Sequence, residues 1–148
     1  MKANWQTTTF QPAATRFIKT DFVRAKEYFL ASMDYLKLLI SPDHSYFADL
    51  NVKIGQCYHQ LGDPETCLAH LLAARSAYLN FGQDDPRYID FLQDLGGYYL
   101  EERMFPEAIQ QLAECLSLKE KHYAPQTPRL MGTLQALGEA DLQAAQFD

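Results

Sequence analysis

Apolar residues recur along this chain at helical steps of three and four, and the pattern itself returns after 41 or 42 positions. It is clearest from Asp84 to Cys115, which reads as two antiparallel helices with a break near Arg103 to Pro106. A shift of 41 pairs Phe47 with Tyr88, Leu50 with Phe91, Ile54 with Leu95, Gly55 with Gly96 and Tyr58 with Tyr99. The same shift pairs Cys67 with Ala108, Leu71 with Leu112 and Ala74 with Cys115. An echo of this length is the mark of stacked helical units, each burying its apolar face against a neighbour.

Read in order, residues 1–19 form a polar lead-in, with Pro12 opening a short degenerate helix to about Lys19. Thr20 or Asp21 is placed to cap a stronger helix carrying Ala25, Phe29, Ser32 and Leu36 on one face. Pro42 ends it. Helices are then predicted from His44 to Leu61, from Pro64 to about Phe81, from Asp85-Pro86 to Glu102, and from Phe105-Pro106 to about Tyr123. A last helix opens after Pro128 with Leu130, Leu134 and Leu137. Gly62-Asp63-Pro64-Glu65 supplies a turn, a cap and a helix-starting proline, and Gly82 a stop. No segment sustains period-two alternation, so the expected fold is all-α. Residues 20–148 make a domain of about three repeats, the last incomplete.

Leu95-Gly96-x-x-Tyr99 followed by Ala108, Leu112 and Cys115 resembles the tetratricopeptide repeat. Ile54-Gly55-x-x-Tyr58 with Cys67, Leu71 and Ala74 matches the same pattern, and Leu137-Gly138 begins a third copy. The resemblance implies a right-handed superhelical array of helix hairpins, in which small residues let paired helices approach and large ones fill the gaps. The spacing exceeds the family's usual repeat of about 34 residues. With its Pro-containing starts (Pro42, Pro86, Pro128) it is similar to kinesin-light-chain-type repeats. The Asn-Asn pair common before the Leu of that subtype is replaced by Val52-Lys53, Gln93-Asp94 and Gln135-Ala136, so a cargo-adaptor function is not carried over. A shift of 42 sets Phe147 on Phe105, so the sequence stops where a further second helix would begin. The expectation is a fragment of a longer array, with Leu130, Leu134 or Leu137 exposed and a route to self-association through the C-terminal helix.

Composition narrows the partner. With a formal net charge of −6, the chain is a poor match for nucleic acid or an anionic membrane. Its apolar runs are too short or interrupted to span a bilayer, and Met1 to Thr9 lacks the apolar block of a signal peptide, which points to a cytoplasmic protein. Cys57, Cys67 and Cys115 fall where the repeat reserves small buried residues and read as buried thiols. Cys57, His59, Cys67 and His70 are the right residue types for zinc. However, Cys57 and His59 diverge by roughly 200° on a helix, and no metal or other cofactor is expected. No nucleophile is paired with a base and no Gly-rich phosphate cradle occurs, so an enzyme is not expected.

In the family that this chain resembles, the first helix of each hairpin lines a groove that takes a peptide or a partner helix. The resemblance places Asp49, Val52, Lys53, Gln56, His59 and Gln60 there, then Asp90, Gln93, Asp94, Gly97, Leu100 and Glu101, then Gln135, Glu139 and Gln143. Asp49, Asp90, Asp94, Glu101 and Glu139 against Lys53 make this an acidic surface, suited to a neutral or basic protein segment. The expected function is a protein-interaction scaffold, with a peptide-sensing regulatory domain of a larger signalling protein as the alternative.

Overall fold

The computed structural model of the chain describes residues 12–39, 41 and 45–147, with side chains from residue 21 onward. Within them lie α1 (Pro12–Leu39), α2 (Ser45–Gln60), α3 (Pro64–Leu79), α4 (Pro86–Glu101), α5 (Phe105–His122) and α6 (Pro128–Phe147), and no strand. The starts of α2, α4 and α6 follow the 41–42-residue echo, as do those of α3 and α5. The helices group into two units, residues 1–77 and 78–148.

The N-terminal helix corrects one expectation. No cap interrupts it at Thr20 or Asp21, and a single helix runs from Pro12 through both residues to Leu39. The first half of the expected lead-in, residues 1–11, lies outside the described residues. The reason is local: no Gly or Pro separates Ala13 from Leu39. Thr and Asp stop a helix only where the chain also turns, and within a helix they cost a few tenths of a kcal/mol, about 0.7 at most.

In the first unit, Met33 of α1 packs with Phe47 and Ile54 of α2, flanked by Phe29, Leu30, Leu36, Leu50 and Tyr58. The α2–α3 hairpin closes where Gly55 meets α3, since a Cβ at residue 55 would lie 3.3 Å from the Cys67 carbonyl and from Leu71. Helix α2 ends in a left-handed cap. Gly62 has φ 81, its N–H donates to the His59 carbonyl, and the Asp63 N–H donates to that of Tyr58. Asp63 then caps α3, accepting from the Thr66 N–H at 3.2 Å and its hydroxyl at 2.7 Å, bonds that hold its carboxyl below the usual range.

The second unit repeats this plan with a larger core of Tyr88, Ile89, Phe91, Leu92, Leu95, Leu112 and Cys115, all buried. Gly96 lets α5 approach more closely than Gly55 lets α3. Asp85 caps α4 through the Arg87 N–H, with Pro86 at the first turn. Buried Tyr88 satisfies its hydroxyl by donating to Glu114 at 2.7 Å. Helix α4 ends in the same left-handed cap as α2, but the residue at the glycine position is Arg103, with φ 58. The last helix, α6, buries Leu130, Thr133 and Ala140. Phe147 at its end stacks on Phe105, ring centroids 6.1 Å apart, and carries the Arg103 guanidinium 4.6 Å above its ring. Of the three leucines of which one was expected to be exposed, Leu134 is exposed, Leu137 is half-buried and Leu130 is buried.

Candidate functional site

The expected binding residues fall on the first helices of the repeats. In the first unit, Asp49, Lys53 and Gln56 are exposed on one face of α2, with Val52, His59 and Gln60 half-buried beside them. Asp49 and Lys53 share a shallow cleft with Ser32 and Leu36 of α1 and with Tyr46 and Leu50 of α2. Lys53 leans toward α1, its Nζ 5.7 Å from the centre of the Phe29 ring. Ser32 and Tyr46 were not among the expected site residues. Tyr46, 58% exposed, is the signal the sequence held: an aromatic in the first turn that the repeat register does not require in the core.

In the second unit, Asp90, Asp94 and Glu101 are exposed along α4, with Gly97 and Leu100 half-buried among them. A Cβ at Gly97 would meet nothing within 4 Å, so the middle of this acidic face is open and flat. On α6, Gln135 and Glu139 are exposed, and Gln143 donates to Glu139 one turn away.

Gln93 behaves differently from its neighbours. Its Oε1 accepts from the Lys119 ammonium of α5 and, at 2.7 Å, from the Thr133 hydroxyl of α6. Lys119 is 6% exposed and also donates to the Arg129 carbonyl at 3.1 Å and to Thr133 Oγ1 at 3.0 Å. A buried ammonium is tolerable only when its donors are filled, and here all three are. Gln93 thus ties three helices together and offers a partner less than its exposed neighbours do. The sequence carries no sign of the Lys119–Thr133 pairing, because a lysine in the last turn of a helix ordinarily reads as solvated.

The cysteines and histidines do not assemble. Cys57, Cys67 and Cys115 are buried free thiols, with burial pushing Cys57 and Cys115 above the ordinary thiol value. His70 stacks on Tyr58 at 5.6 Å and lies 2.9 Å from Asn51 Oδ1, its pKa lowered by burial. Among the described residues no three His, Cys, Asp or Glu side chains converge on a point that could hold a metal ion, and no helix is long and apolar enough to cross a membrane.

A family model described as the tetratricopeptide repeat matches residues 46–121, just over half of the chain. Among solved structures, the chain is similar to BtubC (BKLC) from P. vanneervenii, with a TM-score of 0.76 and 16% identity over 86% of this chain and 52% of that one. It is also similar to a putative kinesin light chain of Podosopora anserina with nearly identical TPR-like repeats, with a TM-score of 0.74 and 13% identity over 89% of this chain and 64% of that one. The chain thus spans between half and two thirds of these proteins' lengths, and at such identities the likeness is one of fold. Helix hairpins recurring at 41–42 residues, glycines under the second helices and this family match lead to one conclusion: the chain belongs to the tetratricopeptide repeat family.

Proposed function

We propose that this chain is a protein-interaction scaffold whose exposed first-helix faces hold a neutral or basic segment of a partner protein. The observation that carries the reading is the α4 face, where exposed Asp90, Asp94 and Glu101 surround the open Gly97. Glycine there admits a partner's backbone, and the carboxylates attract positive charge while excluding acidic competitors. Gln135 and Glu139 on α6, and Gln56, His59 and Gln60 on α2, supply the hydrogen-bonding groups of their own helices. The fold is one that typically carries no catalysis, and binding alone is proposed. A cytoplasmic location fits the three buried free thiols. Self-association through α6 belongs to the same reading, because that helix leaves Met131, Leu134 and Leu142 exposed.

The test is a titration with a fluorescent Lys/Arg-rich peptide of about a dozen residues, beside an acidic peptide of equal length. Saturable binding of the basic peptide alone, weakening with salt and lost in Gly97→Leu, is expected. Indifference to the Gly97→Leu change would move the site off α4.

A further inference from the structure

A cleft of about 300 Å³ opens in the first unit where α1, α2 and α3 meet. Buried Met33, Phe47 and Ile54 line its base, and Ala73 and Ala77 of α3 form one wall. Phe47, Asn51 and Ile54 reach it from α2 at steps of four and three, offset by two residues from Asp49, Lys53 and Gln56. At about 100° per residue, that offset sets the cleft on the side of α2 away from its exposed charged face.

Side-chain size makes the opening, and the three helices around it are all in place. A shift of 41 sets Asn51, Ala73 and Ala77 on Leu92, Glu114 and Leu118, each of them larger. The same shift sets Phe47 on Tyr88, whose hydroxyl donates to Glu114 and so bridges α4 and α5. Phe47 has no hydroxyl and Ala73 no carboxylate, so no such bridge joins α2 to α3.

The polar groups of the cleft are held in place. Asn51 Nδ2 donates to the Phe47 carbonyl at 2.9 Å, which fixes the amide and sets Oδ1 2.9 Å from His70 Nδ1. Oδ1 can only accept, so the His70 ring proton sits on Nδ1. Stacking on Tyr58 holds the ring plane, and burial keeps the ring uncharged at neutral pH. Nε2 therefore keeps its lone pair, and it has no partner among the described residues. No buried side-chain nitrogen among them lacks a partner, so Nε2 is open to solvent. Asp34 and Lys37, exposed at the rim, are opposite in sign and give an ion no net attraction.

We propose that this cleft binds a small neutral aromatic molecule with one N–H or O–H donor, of the indole or phenol class, which donates to His70 Nε2. Apolar walls with one fixed polar group are the usual make-up of such sites. An apolar cavity of about 150 Å³ holds a benzene ring, so about 300 Å³ admits two fused rings. The two alanines, one turn apart, offer a flat wall to a flat ring, and methionine packs well against aromatics. The site is independent of the acidic face of α4.

The experiment is an amide-resolved NMR titration of the full chain with indole, N-methylindole and a short uncharged Trp-containing peptide. Indole is expected to bind saturably and to shift the amides of Asn51, His70, Ala73 and Ala77. N-Methylindole, which has no donor, should bind about fivefold more weakly. Ala73→Leu, at an exposed position, should fold normally and abolish the shifts. Absent saturation, shifts centred on other residues, or undiminished binding by Ala73→Leu would overturn the site. Equal binding of indole and N-methylindole would overturn the bond to His70. Tighter binding of the peptide than of indole would overturn the free molecule as ligand in favour of a partner's side chain.

Discussion

Leu112 lies so close to Gly96 that a Cβ on residue 96 would stand 2.5 Å from its Cγ. That approach sets the α4–α5 hairpin, and it ranks three glycines. Gly96→Ala should cost about 1–3 kcal/mol through overpacking, less the few tenths to 1 kcal/mol that alanine returns as a better helix former. Gly55→Ala, with contacts at 3.3 Å, should cost less, and Gly97→Ala, with nothing within 4 Å, should raise the melting temperature. Thermal unfolding of the three variants checks the order. Equal effects at 96 and 97 would remove the close approach.

Arg103 pairs a strained backbone with a favourable contact. A non-glycine residue at φ 58 costs about 1 kcal/mol, and its guanidinium over Phe147 returns a similar amount. Arg103→Gly should therefore be near neutral in the natural chain and stabilising by about 1 kcal/mol in a Phe147→Ala background. Denaturant titration of this double-mutant cycle measures the difference.

Lys119→Met keeps the apolar stem but removes the donors that reach Gln93, Thr133 and the Arg129 carbonyl. A loss of about 1–3 kcal/mol is expected, from acceptors left unsatisfied in a buried place. Amide exchange should rise most in α6, since Arg129 and Thr133 belong to it.

His70 makes the stability of the first unit depend on pH. Burial lowers its pKa from the ordinary value of 6.5, so the unfolded chain binds the proton more readily. Its neutral form is favoured by folding: the contribution is complete above pH 6.5 and is lost as the pH falls from there through the depressed folded value. The natural chain should lose stability across that window in urea titrations, and His70→Gln should flatten the slope.

The repeat plan was legible in the sequence because it rests on side-chain size at fixed spacing. Phe47 and Tyr88, Ile54 and Leu95, and Leu71 and Leu112 all occupy the buried places that the 41-residue echo assigned them. The exposed acids of α4 followed from the same register, as the residues on the opposite side of the stripe. What escaped depends on relations that spacing does not encode. Thr20 and Asp21 are good caps, yet nothing after Pro12 forces the chain to turn there. Gln93 lies on the expected face, but the Lys119 ammonium, 26 residues on, binds its side chain. Arg103 adopts a glycine's backbone with its guanidinium over a ring 44 residues later. Spacing also left open which of Leu130, Leu134 and Leu137 would be exposed on α6: Leu130 is buried and Leu134, one turn later, is open.

The claim at the centre is that the acidic face of α4 selects positive charge. Fluorescence anisotropy with the same Lys/Arg-rich peptide, run on the natural chain and on Asp90→Lys/Asp94→Lys, tests it directly. Both residues are exposed, so the variant should fold normally. The variant should bind the basic peptide at least tenfold more weakly, roughly 1.4 kcal/mol, and gain affinity for an acidic one. Equal binding of the basic peptide by the two proteins would contradict it.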